Sequence, residues 1–88
     1  MKFKRQHKLG TDEARRRVDR IATEMGQQFG LSSEWRGDHL NVKGSGVDGQ
    51  ISVRDASIDV SVTLGFSLML MEGTIRSAIE DAMDKHLV

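Results

Sequence analysis

The spacing of apolar residues changes twice along the chain, and each change marks a new element. Between residues 11 and 30, Ala14, Val18, Ile21, Ala22, Met25 and Phe29 recur at helical intervals. They fall within about 100° of arc on a helical wheel, which predicts an amphipathic first helix. Thr11 is the expected N-cap, and Asp12 and Glu13 stand in the first turn, where the helix dipole favours acids. Gly30 is the expected stop. Ahead of this helix, KFKRQHK reads as a short strand whose main apolar contribution is Phe3.

After Gly30 the period drops to two. The inward set is Ser33 and Trp35, Leu40 and Val42, Ile51 and Val53, then Ile58, Val60, Val62 and Leu64. Pairing Trp35 with Leu40 puts a turn at Gly37-Asp38 and Ser33 opposite Val42. Pairing Val42 with Ile51 puts Leu40 opposite Val53 and centres a loop on SGVD. Pairing Ile51 with Val60 puts Val53 opposite Ile58 and a turn at Asp55-Ala56. All three registers keep the apolar residues on one face, which a one-residue slip would destroy, and each turn has Gly, Asp or Ser where it needs them.

Near the C-terminus the helical period returns. Met71, Ile75, Ala78, Ile79, Ala82 and Met83 form a second stripe, with His86 along it and Asp81–Lys85 as an i,i+4 ion pair. The expected fold is therefore α+β, a single domain over residues 1–88 in the order β-α-β-β-β-β-α, with two helices packed on one face of an antiparallel sheet. One stretch obeys neither period. In TLGFSLMLMEGT, Leu64, Phe66 and Leu68 suit the sheet face or a crossover and Met71 suits the last helix, but Met69 and Leu70 fit neither. An irregular crossover closing the core is one account of this run. An exposed apolar patch for another protein, a lipid or a polymer is the other, and methionine's flexibility suits such a surface.

Composition limits the chemistry. Eighty-eight residues without cysteine exclude a disulfide framework and thiolate metal sites. No apolar stretch approaches the roughly 20 residues of a membrane span, and no apolar segment follows the basic N-terminus, so neither a span nor an export signal is expected. Net charge is zero, yet residues 1–20 hold eight Lys/Arg against three Asp/Glu. Such a basic end can mark a nucleic-acid contact. Lys4, Arg5, Lys8, Arg16, Arg17 and Arg20 would carry it. Against this, Asp12–Arg16, Glu13–Arg17, Arg15–Asp19 and Arg20–Glu24 are spaced as i,i+4 ion pairs on a solvated helix face. The chain also lacks Tyr, and its one Trp is committed to the sheet, which removes the usual stacking platforms.

No catalytic constellation is visible. His7, His39 and His86 lack ligand spacing. Glu34 and Asp59 take the outward parity of their strands, and Glu80, Asp81 and Asp84 lie off the last helix's apolar stripe. GSGVDG joins two strands and is not followed by a helix, unlike a phosphate-binding loop. No catalytic residue, metal or cofactor is expected. So thin a core also leaves little room for a small apolar ligand.

These segments together resemble a known family. HKLGTDEARRRVDRIA, FGLSSEWRGDHLNV, SGVDGQISV, and LGF followed by EGTIRSAIEDAMDKHL are similar, in order, to the small polyhydroxyalkanoic acid system proteins encoded with bacterial polyester-granule genes. The resemblance implies a cytoplasmic, granule-associated or regulatory protein and supplies no catalytic residues. Members often carry a basic residue or Pro after LGF, whereas SLMLM here is uncharged. The expectation is a non-enzymatic accessory protein that binds the granule surface or a granule protein through Phe66, Leu68, Met69, Leu70 and Met71. A homodimer covering the same residues is the other way to account for the patch. A nucleic-acid-binding regulator is the alternative function.

Overall fold

Tight turns join each alternating stretch to the next, so consecutive strands become neighbours in an antiparallel sheet. The structure is a computed structural model and describes residues 1–87. Its elements are β1 (Lys2–Gln6), α1 (Gly10–Phe29), β2 (Ser32–Arg36), β3 (His39–Gly44), β4 (Val47–Val53) and β5 (Ser57–Leu64). A 3₁₀ helix (Phe66–Met71) and α2 (Glu72–His86) follow. The strand order is β1-β5-β4-β3-β2. This is the α+β architecture and element order that the periodicity predicts. β1 forms one edge, with Phe3 opposite Val60 and Arg5 opposite Ile58.

Two of the three expected registers hold. Trp35 faces Leu40, Ile51 faces Val60 and Val53 faces Ile58. The middle pairing is shifted by two residues, with Leu40 rather than Val42 opposite Ile51, and Val42 opposite Gly49. The cause is a shorter turn. Gly46, at φ +80°, lets the chain reverse at Ser45-Gly46 instead of through a four-residue SGVD loop. A two-residue shift preserves side-chain parity, so the same residues still point inward. Ser33, though of inward parity, is exposed on edge strand β2, and Trp35 is half-buried there.

The inward face and both helices share one core. Ala14, Val18, Ile21, Ala22 and Met25 of α1 pack with Ile75, Ile79, Ala82 and Met83 of α2 over Leu40, Val42, Ile51, Val53, Ile58 and Val60. The other side of the sheet is polar and open, with cross-strand pairs such as His39–Ser52 and Asn41–Gln50.

α1 starts differently from expectation. It begins at Gly10, Leu9 holds the cap position and no side chain caps it, so Thr11 is not the N-cap. Gly10, at φ +74°, turns the chain into the helix, and the Leu9 N–H donates to Nδ1 of the buried His7. Since that nitrogen accepts, His7 Nε2 carries the proton toward Arg54 O at 3.1 Å, which ties the loop to the β4–β5 turn. The helix ends as expected at Gly30, φ 68°, whose N–H donates to Gly26 O, as does that of Leu31.

The expected ion pairs along each helix are mostly replaced by pairs between elements. Glu13–Arg17 forms, at 2.8 Å. Arg16 also turns to Glu13, Arg15 to Asp38, and Asp19 accepts from Trp35. Glu24 joins α2, with His86 Nε2 at 2.8 Å and Lys85 Nζ at 3.4 Å, so Asp81–Lys85 and Arg20–Glu24 are absent from the ion pairs. Cross-helix partners win because the two helices pack side by side, and a carboxylate between them meets two donors at once. The His86 hydrogen bond, with the Lys85 charge behind it, holds the Glu24 carboxyl below the ordinary range against a smaller desolvation effect.

Two outcomes follow. An Ala at Gly26 gains about 1 kcal/mol of helix propensity, but its Cβ would stand 2.9 Å from the backbone carbonyl oxygen of Leu31. That carbonyl is fixed by the helix stop, so Gly26→Ala should lose about 1 to 3 kcal/mol net in urea unfolding. Equal or higher stability would refute the close approach. Glu24 has a lowered folded-state pKa, so its contribution is complete above the ordinary glutamate value of about 4.3 and disappears as pH falls through the folded value. Thermal melts of Glu24→Gln and wild type should therefore differ at neutral pH and converge in acid. A gap that stays constant with pH would contradict the tie.

Candidate functional site

β5 stops at Leu64 because the chain is pinned there. Gly65 N–H donates to Gly46 O at 2.7 Å, and a Cβ at Gly65 would lie 3.2 Å from Gly46 Cα. Glycine permits this approach of two backbones. From Gly65 the chain enters the 3₁₀ helix, and the Leu68 side chain lies on Gly46, within 3.1 Å of where a Cβ would stand. Three residues per turn eclipse positions i and i+3. Leu68 and Met71 therefore share the inner side, while Phe66 with Met69, and Ser67 with Leu70, take the other two.

The exposures follow this geometry. Phe66 is 92% exposed and Leu70 99%, while Met69 is 57% and Met71 43% exposed. Leu68 is half-buried. Of the two places the sequence offers Phe66, the sheet face or the crossover, it takes the crossover, since the strand ends before it. One expectation is corrected: Met71 does not join the α2 stripe, since the tighter 3₁₀ winding moves it off that line. Met69 and Leu70, which fit neither period, are exposed, as the patch reading requires. The structure thus brings the five candidate residues together on one short element, four of them open to solvent.

The basic candidates do not converge in the same way. Phe3 and Arg5 face α2, where Arg76 stacks on the Phe3 ring and Arg5 pairs with Asp84. Strand alternation therefore puts Lys4 on the opposite, open face of the sheet. Arg16 and Arg17 share Glu13, whose carboxyl is held below the ordinary range first by Arg17 and then by Arg16. Arg17 also donates to His86 O. Lys4, Lys8 and Arg20 are exposed, the first on the open sheet face and the last on the helical side. Trp35, stacked under Arg15 at 4.5 Å and bonded to Asp19, is committed to the fold as the sequence suggests.

One apolar crevice lies between the layers, lined by Ile21, Met25, Leu31, Val42, Val62 and Met83 among others, with a volume of about 60 Å³. Ligand pockets typically measure about 300 to 1,000 Å³. Among the described residues no group of three His, Cys, Asp or Glu is placed to hold a metal ion. No helix among them is long and apolar enough to cross a membrane.

Sequence reasoning missed the structural roles of His7 and of the Glu24–His86 contact. Both join residues far apart in the chain, and only Glu24's position on the inner flank of α1 hinted at the second. In comparisons with known proteins, no curated protein and no solved structure matches the chain. A family model described as "Putative polyhydroxyalkanoic acid system protein" matches residues 1–87. With that match covering nearly the whole domain, the chain belongs to the polyhydroxyalkanoic acid system protein family.

Proposed function

We propose that the protein is a non-enzymatic accessory of polyhydroxyalkanoate metabolism that attaches to the polyester granule, or to a protein on it, through Phe66, Leu68, Met69, Leu70 and Met71. The observation that carries this reading is the exposure of Phe66 and Leu70, two large apolar side chains left almost wholly open to solvent. Each would contribute about 1.5 to 3 kcal/mol if buried against a partner. The family supplies the setting, a bacterial polyester system.

The nucleic-acid alternative is opposed by the spread of the basic residues over two faces and by the pairing of Arg5 and Arg16 with acids.

The test is cellular localisation of a fluorescent fusion in a polyester-accumulating bacterium. The wild-type fusion should coincide with granules, and Phe66→Glu/Leu70→Glu should be diffuse. Because both side chains are already in water, the double variant should melt within about 0.5 kcal/mol of wild type. Granule localisation of a folded double variant would refute the role of the patch.

A further inference from the structure

The chemistry of the patch narrows its partner. No residue from Val60 to Met71 carries a charge. The next cation along the chain, Arg76, is engaged, with Glu72 at 3.8 Å and the Phe3 ring centre at 5.1 Å. α2 itself carries Glu72, Glu80, Asp81 and Asp84 against Arg76 and Lys85, and Lys85 is held by Glu24. Elements that settle on anionic lipid add Lys or Arg to their apolar face, each contributing attraction to the headgroups. The segment itself and the chain that follows it lack that complement, and the surplus charge of the adjoining helix has the wrong sign; the one lysine of the hairpin beneath, Lys43, stands opposite Asp48.

A folded protein partner is also poorly matched. Specific interfaces centre on Trp, Tyr or Arg anchors seated in pockets. The patch has one aromatic, Phe66, and no Trp, Tyr or Arg. Phe66 and Leu70 are almost wholly exposed, so neither lines a concave site. Leucine and flexible methionine on a convex turn suit a soft surface without fixed pockets. Ser67, also exposed, is the one side-chain hydrogen-bond donor of the segment, and an ester carbonyl is an acceptor.

Resting on the proposed function, we infer that Phe66, Met69 and Leu70 seat the protein directly on the uncharged ester polymer, in place of an anionic lipid layer or a coat protein. Attachment is then driven by apolar burial, and added salt does not weaken it.

The experiment mixes the purified full chain with bare amorphous polyhydroxybutyrate particles, and separately with neutral and anionic phospholipid vesicles, from low to molar sodium chloride. Retention on bare polymer should persist across the salt range. It should fall at least about tenfold in Phe66→Glu/Leu70→Glu, whose fold is checked by circular dichroism. Capture by anionic vesicles that is patch-dependent and lost with salt, without capture by polymer, would overturn this inference and leave the proposed function standing. Equal polymer retention by the folded double variant would overturn both. A dimer in light scattering that the double variant abolishes, with no polymer retention, would overturn the inference and assign the patch to a second copy.

Discussion

A sheet with one apolar face can bury only what packs on that face. In this chain two helices complete that task. Among the described residues fifteen buried apolar side chains, drawn from α1, α2 and strands β3 to β5, form the core, and the opposite side of the sheet is polar along every strand. Of the run from Phe66 to Met71 only Leu68 is half-buried, and its other apolar side chains stay outside this core. Small domains bury only about 60% of their unfolded surface, so apolar side chains left outside the core are to be expected.

What fixes the direction of that surplus is a contact between two glycines. Gly65 lies against Gly46, and Leu68 covers the same turn. The clasp ends β5, holds one side of the 3₁₀ helix to the sheet and turns the other two sides to solvent. The same turn sets the β3–β4 register. One hairpin thus governs both the alignment of the sheet and the presentation of the patch.

Most of the architecture was legible because periodicity reports which side of an element is buried. The α1 stripe, the inward strand residues and two of three registers could all be read from Ala14 to Val60 by spacing alone. What could not be read depended on contacts distant in sequence or on backbone conformation. The Gly46 turn moved one register by two positions, with no change of parity to betray it. His7 replaced Thr11 as the organiser of the α1 entry, and Glu24 bonded His86 instead of Arg20. At the patch, spacing isolated Met69 and Leu70 as misfits. It left Phe66 between the sheet face and a crossover, because a 3₁₀ segment follows neither of the two periods being compared.

A family setting, a closed core and an uncharged exposed turn together support the proposal that the turn itself meets the polyester. Because the chain has no cysteine, Leu70→Cys gives a unique attachment point for an environment-sensitive dye. On adding polyhydroxybutyrate particles, the dye at position 70 should shift to the blue and become shielded from a soluble quencher, while a dye at Ser52→Cys on the open sheet face stays in water. Particles that bind the protein but leave the dye at position 70 fully hydrated would contradict the account.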